Sequence, residues 1–403
     1  MNLLNLMLPR IVTAAILAAI NLNAADTQTE MIRAMLTTLN ENGQFNGSIL
    51  VARNGMVVFR DAFGTAADSS NRNQPETPSN LASVSKQFTA MAVMMLAERG
   101  KIHYDGPIAK YLPQLAVLGG GIKIRHLLTH TSGIPDVGDL GIDHPNLKES
   151  EVVRAVLKQY TKFAEPGKQY RYSNTGYTLL GMIVEKVSDM SLDDFLSRNI
   201  FEPLGMKNSR LASRRGYTKG DGGIVSTVDD LLKWDQALYT ERLVKETTLN
   251  EAFTPANVRE GISTYGFGWN STEKDGDRFV WHTGNTGQYR AFIGRRLGER
   301  ILVVILTNQG PSRRPEICDA IVNILHEKPY TMPKLSITMK KQAALRIFEL
   351  NTREFPASSN AYDSLGEAYA KVGEKDRAIQ AYTKALELDP NNLNSQKMLR
   401  SLK

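Results

Sequence analysis

The sequence predicts an α+β chain: a sheet assembled from both ends of one domain, a helical region between those ends, and a small α-helical repeat module after it. Three observations carry this reading. Apolar, β-branched runs occur over residues 47–62 and return over residues 265–306. The stretch between them has helical spacing, broken by Pro and Gly. Beyond Pro329 and Pro333 the pattern changes to a 34-residue period. With 403 residues, 42% of them hydrophobic, the chain can bury a sizeable core and has room for two or three domains.

The N-terminus carries Arg10, an apolar core from Ile11 to Ile20, and the small residues Ala24 and Ala25 before Asp26. This is the pattern of a secretory signal and is short for a membrane span, so residues 1–25 are expected to be a signal peptide. The expected location is periplasmic or secreted, with no stable membrane span after signal removal. The single cysteine, Cys318, excludes a disulfide within the chain and lies far from any site of N-terminal lipid attachment. The formal charge of +7 is spread along the chain without a basic run interleaved with aromatics. That argues against nucleic acid and fits an envelope location or anionic substrates.

In chain order, Asn54-Gly55 between two apolar runs suits a two-residue type I′ turn, so a hairpin opens the sheet. Residues 71–80 read as a loop, and the run from Ser83 to Glu98, closed by Gly100, reads as a buried helix. Ile124 to Thr131 reads as a short helix, and a helix-rich region follows from Glu149 to Leu238, with Ser226-Thr227 capping its last helix. Strands are expected at Tyr265–Trp269, Arg278–His282, Tyr289–Arg295 and Ile301–Leu306, then a helix from Pro315 to Leu325.

Ala344-x-x-x-Phe348 with Pro356 recurs 34 residues later as Ala378-x-x-x-Tyr382 with Pro390, and Tyr362-x-x-Leu365-Gly366-x-x-Tyr369 opens the complete copy. This resembles a tetratricopeptide repeat, a helical hairpin whose small and aromatic positions interlock. One repeat cannot bury its faces alone, so half a preceding repeat and a polar capping helix, Leu393 to Lys403, are expected to complete it. A structural cap and a site for a protein partner are both open readings of this module.

Chemistry is concentrated at Ser83-Val84-Ser85-Lys86. A hydroxyl at the mouth of a helix, with an amine one turn on, can be made nucleophilic, because the helix N-terminus favours negative charge. Two further clusters are Tyr170-Arg171-Tyr172-Ser173-Asn174 and Trp281-His282-Thr283-Gly284-Asn285. His126 and His130 stand four apart, but no Glu follows His126 and no third ligand is near, so packed or hydrogen-bonded histidines are expected and no metal or cofactor.

The ordered set Ser-x-x-Lys, Tyr-x-Asn and basic residue-Thr-Gly resembles the serine β-lactamase and penicillin-binding-protein superfamily. The likeness is to the branch holding class C β-lactamases, D-alanyl-D-alanine carboxypeptidases, D-amino-acid-specific peptidases and related esterases. His126 to Gly133 and Gly222 to Thr227 share it, and it covers about residues 30 to 326. The resemblance implies an antiparallel sheet with helices on both faces, beside an all-helical subdomain. It also implies Ser83 as acylated nucleophile, Lys86 and Tyr172 sharing its proton, and Asn174 holding Lys86 or the substrate amide. Backbone N–H groups of Ser83 and Asn285 would form the oxyanion hole, and Gly284 would let the strand approach the substrate. His282 stands where many relatives carry Lys. It is expected to bond Tyr172 or, when protonated, to attract a carboxylate, and to make activity pH-dependent near pH 6.5.

The expected organisation is a signal peptide at 1–25, a hydrolase domain at 26–328, a linker at 329–339 and the repeat module at 340–403. The expected function is an exported serine hydrolase acting through a Ser83 acyl-enzyme on a D-alanyl peptide, small amide or ester, weak β-lactam hydrolysis being a subclass. The alternative is a penicillin-binding sensor or interaction protein with little turnover. The loops Asp136 to Asn146 and Ser209 to Lys219 are expected to shape the pocket.

Overall fold

Asn54 and Gly55 turn the chain with φ of 52° and 77°, the left-handed region that a two-residue hairpin turn requires. They join β1 (Gly47–Arg53) to β2 (Met56–Phe63). The structure, a computed structural model, describes residues 26–67, 71–118, 121–142, 147–158, 164–212, 219–308, 313–333 and 341–402. The expected signal segment lies outside these residues, as do 143–146 and 213–218 of the two expected pocket loops and most of the expected linker.

The remaining strands are β3 (Ser79–Asn80), β4 (Arg210–Leu211), β5 (Ile224–Ser226), β6 (Asn270–Lys274), β7 (Asp277–Thr286), β8 (Tyr289–Arg296) and β9 (Ile301–Thr307). The helices are α1 (residues 26–41), α2 (Lys86–Glu98), α3 (Ile124–Leu128), α4 (Glu149–Lys158), α5 (Asn174–Ser188), α6 (Leu192–Leu196), α7 (Glu202–Leu204), α8 (Val228–Ala237), α9 (Glu246–Ala252), α10 (Arg314–Leu325), α11 (Lys341–Glu354), α12 (Ser359–Val372), α13 (Lys375–Leu388) and α14 (Leu393–Leu402). The described residues of 47–309 form one compact unit, and those of 1–46 and 310–403 form another.

In the first unit six strands make one antiparallel sheet in the order β2-β1-β9-β8-β7-β6. Pairing of β1 with β9 from Gly47↔Thr307 to Arg53↔Ile301 joins the opening hairpin to the closing meander. β9 is apolar from Ile301 to Leu306 and wholly buried, as suits a central strand covered on both faces. The helix α8 packs on β1 and β9, and α2, α5, α6 and α3 pack together. A second sheet, β3-β5-β4, is short, and its β3 leads directly into the turn before α2.

Two strand expectations are corrected. Tyr265–Trp269 is not a strand: only Tyr265 bridges, to Asn270. Gly268 has φ +80°, and a Cβ on Gly266 would stand 2.1 Å from the Ala252 carbonyl oxygen. The alternation of Tyr265, Phe267 and Trp269 comes from a Gly-broken turn that buries all three rings. β7 runs on to Thr286, so Thr283 to Asn285 lie within the strand rather than after it. β6 pairs only with Asp277 to Trp281, which leaves His282 to Thr286 beyond its reach.

In the second unit, α12 ends at Gly373, whose φ of +86° suits a helix stop. Gly366 faces Tyr382 of α13 across the hairpin: a Cβ there would fall 2.8 Å from the Tyr382 ring. The missing side chain admits the buried ring, and Leu365, Tyr369, Ala378 and Ala381 close around it, with Leu345, Phe348, Met398 and Leu399 packed against them. Gly366→Ala should destabilise the α12/α13 pair by about 1–3 kcal/mol through overpacking. Denaturation followed by circular dichroism measures it, and an unchanged C-terminal transition would refute the contact.

Candidate active site

Ser83 is delivered by a tight turn. Ala82 to Ser85 form a 3₁₀ turn that continues into α2, whose residues from Lys86 to Leu96 are all buried. Ala82, although not glycine, has φ +47°. Such a backbone costs on the order of 1 kcal/mol and needs its surroundings to hold it. Ala82 N–H donates to Asn80 Oδ1 at 2.8 Å, and Leu81 N–H donates to Ile224 O at 2.8 Å. Ser83 emerges half-buried, and Lys86 one turn on is wholly buried.

Lys86 Nζ lies 2.8 Å from Asn174 Oδ1, 2.7 Å from the backbone oxygen of Asp221 and 3.1 Å from Ser83 Oγ. The first two partners can only accept, so they fix two N–H bonds. The third direction on Nζ faces the seryl oxygen. An ammonium donates along it; a neutral amine offers its lone pair to the seryl proton there. Asn174 is itself fixed: its Nδ2 is 3.4 Å from Asp136 Oδ2, and Asp136 Oδ1 accepts the N–H of Thr175 at 3.0 Å at the start of α5. Ser173 caps that helix by accepting the N–H of Gly176 at 3.2 Å.

Tyr172 is half-buried, with its ring centre 4.9 Å from Lys86 Nζ. Around it stand Tyr170, Tyr177, Tyr265, His130 and His282. The structure therefore brings Ser83, Lys86, Tyr172 and Asn174 together around the Lys86 side chain.

His282 requires correction. Its Nδ1 is 2.6 Å from Thr283 O, which can only accept, so Nδ1 carries the hydrogen and Nε2 accepts from Tyr265 OH at 2.8 Å. The bonding partner is Tyr265, and the ring centres of His282 and Tyr172 are 6.3 Å apart. Burial, with the Lys86 charge nearby, lowers the His282 pKa to about 3. The expected titration near pH 6.5 is thus displaced, and the imidazole is neutral at neutral pH. At Gly284 a Cβ would stand 2.1 Å from Leu81 O and 3.1 Å from Ala82 Cβ, so the strand passes close against the turn that carries Ser83. Asn285 is exposed on the same strand.

Both motif histidines accept backbone N–H groups. His126 Nδ1 accepts the N–H of Lys123 at 3.2 Å at the start of α3, and burial lowers its pKa to about 4. His130 accepts from Ser173, and burial holds it far below its usual pKa. Sequence reasoning did not assign Asp221 and Tyr265 to the site, and placed Asp136 only at the start of a pocket loop. Asp221 contributes a backbone oxygen, and its one signal was the neighbouring Gly220-Asp221-Gly222-Gly223 run.

Two outcomes follow. Gly284→Ala must push β7 off the Leu81-Ala82 turn and should lower kcat/KM on an ester by up to about 100-fold, the scale of ångström misplacement. Steady-state kinetics on protein with a native far-ultraviolet spectrum reads this, and undiminished kcat/KM would refute it. The folded pKa values of His282 and His126 lie below the unfolded 6.5, so the unfolded chain binds more protons and stability is lost as pH falls through 6.5. Between pH 6.5 and 5 the loss from His282 alone should be on the order of 2 kcal/mol. Urea midpoints at pH 7.5 and 5.0 test it; a midpoint that stays constant would contradict it.

The family described as Beta-lactamase matches residues 32–326, and the family described as Tetratricopeptide repeat matches residues 360–392. The chain is 32% identical over 361 residues to Penicillin-binding protein 4* of Bacillus subtilis, covering 77% of this chain and 79% of that protein. It is 29% identical over 296 residues to D-aminopeptidase of Brucella ovis, covering 65% of this chain and 56% of that protein. Among solved structures, the octameric penicillin-binding protein homologue from Pyrococcus abyssi matches with a TM-score of 0.67 and 28% identity, over 79% of this chain and 81% of that one. The chain belongs to the β-lactamase family, as a serine hydrolase related to the penicillin-binding proteins, with a C-terminal tetratricopeptide repeat.

Proposed function

We propose that the chain is an exported serine hydrolase that forms an acyl-enzyme at Ser83, acting on a D-alanyl peptide, a small amide or an ester. The observation that carries this is the Lys86 side chain, wholly buried and with two of its three polar directions fixed, leaving the third on Ser83 Oγ at 3.1 Å. A residue kept only for packing has no need of such an arrangement.

Ser83 Oγ attacks the substrate carbonyl while its proton passes to the Lys86 and Tyr172 pair. The backbone N–H groups of Ser83 and Asn285 take the developing oxyanion; each such donor is typically worth about 3–4 kcal/mol of barrier. The same pair returns the proton to the leaving amine or alcohol, and water then releases the acyl group. His282, buried and neutral, supplies no charge for a substrate carboxylate. This supports neutral esters and amides over carboxylate-bearing β-lactams, whose hydrolysis is weak in this reading.

Export rests on the charged, apolar and small-residue pattern of residues 1–25, with a hydrolase domain at 26–328 and a linker at 329–339. Among the described residues no helix is long and apolar enough to cross a membrane. The repeat module is read as an interaction surface for a protein partner, which also keeps a sensor with little turnover as the second reading. A fluorophosphonate probe should label the peptide holding Ser83, and Ser83→Ala should abolish the label. In parallel, p-nitrophenyl esters and D-alanyl peptides should turn over faster than nitrocefin. Label that persists in Ser83→Ala would overturn the mechanism, and label without turnover of any substrate would favour the sensor.

A further inference from the structure

We propose that His130 is a positioning residue for Tyr172, clamping the chain on both sides of the tyrosine and stacking on its ring; this rests on the proposed role of Tyr172 in moving the seryl proton. Three observations place His130 there. Its backbone oxygen accepts the N–H of Arg171 at 2.8 Å. Its ring Nδ1 accepts the N–H of Ser173 at 3.1 Å. Its ring centre lies 4.2 Å from that of Tyr172, with the planes 37° apart. One residue therefore fixes the backbone before Tyr172, the backbone after it and a face of the ring.

The backbone conformation makes this double grip available. His130 has φ +57°, uncommon for a residue with a side chain, and it follows the end of α3. The turn lets the carbonyl and the imidazole of one residue reach alternate N–H groups of the extended segment 171–173. Because Nδ1 accepts, the ring hydrogen is on Nε2, and that atom is buried with no hydrogen-bond partner among the described residues. The tautomer is opposite to that of His282, whose hydrogen is on Nδ1. Tyr177 and Tyr265 hold the His130 ring from other sides, with centres at 5.1 and 4.5 Å. The imidazole thus has an orientation set independently of Tyr172 and can transmit it.

A histidine that merely stabilised the fold would leave the reactivity of each folded molecule unchanged. Reactivity is sensitive to the placement of a proton-transfer group: displacements near 1 Å can cost about 100-fold. The test is a double-mutant cycle in the full chain, using His130→Asn, Tyr172→Phe and the double variant. Asparagine tolerates the left-handed backbone and offers an acceptor near the Nδ1 position, but has no ring to stack. The readout is the rate of Ser83 labelling by a fluorophosphonate probe, per molecule folded by circular dichroism, with kcat and KM on a p-nitrophenyl ester.

The expected result is that His130→Asn lowers labelling rate and kcat about 10- to 100-fold while KM shifts much less, and that it costs nothing further when combined with Tyr172→Phe. Equal losses from His130→Asn with Tyr172 intact and with Tyr172→Phe already in place, or no loss in either, would overturn the inference. Should Asn fail to fold, His130→Gln takes its place in the same cycle. If Tyr172→Phe alone leaves the rate intact, the proposed role of Tyr172 fails, an outcome distinct from failure of the clamp alone.

Discussion

A buried lysine side chain is the constraint from which this structure is best understood. An amine taken out of water costs several kcal/mol unless its hydrogens are received by fixed acceptors. Here the acceptors come from the start of α5, 88 residues on, and from the Asp221 backbone, 135 residues on. To satisfy one side chain the chain must bring three segments to one point. The neighbouring bonds follow the same logic: Thr89 Oγ1 donates to Gly220 O at 2.7 Å, and Ile224 N–H donates to Ser85 Oγ at 3.1 Å. The helix that follows Ser83 is therefore also the post to which the helical region is tied.

The sheet supplies the other wall. Pairing of β1 with β9 fixes the meander, and the meander carries β7 past the turn at Leu81 and Ala82. Contact there is backbone against backbone, which only a residue without a side chain at position 284 permits. His282 and its partner Tyr265 lie under the same strand, uncharged at neutral pH, and so they set shape and orientation while Lys86 holds the polar contacts to Ser83 and Asn174.

The fold was legible where one residue type has one physical use. Asn54-Gly55 announced its turn, the run from Ser83 to Glu98 without Pro or Gly and rich in apolar residues announced a buried helix, and the 34-residue period announced the repeat with Gly366 against Tyr382. Ser83, Lys86, Tyr172 and Asn174 stood out because motif spacing encodes their side chains. The partners that complete the site did not, since a backbone oxygen at Asp221 has no side-chain signature and Asp136 stands 38 residues from Asn174 without a fixed spacing. Tyr265 was hidden for another reason. Alternating aromatics between glycines satisfy a strand pattern and a buried turn equally well, and only the surrounding packing at Ala252 decides. For His282, a side-chain identity could be read but not its burial, and burial determines whether it carries charge.

The left-handed alanine before Ser83 limits how this site can be altered. Residue 82 has a methyl group in a conformation that larger or β-branched side chains resist, and that methyl would lie 3.1 Å from any Cβ at position 284. Two opposed positions beside Ser83 are thus closed to bulk, and adding volume at one would have to be matched by distortion at the other. Variation of specificity, whether by natural drift or in a directed library, is pushed outward to segments such as 136–142, where Asp139 meets Arg171 at 2.7 Å in an exposed ion pair that can be rebuilt without disturbing the serine.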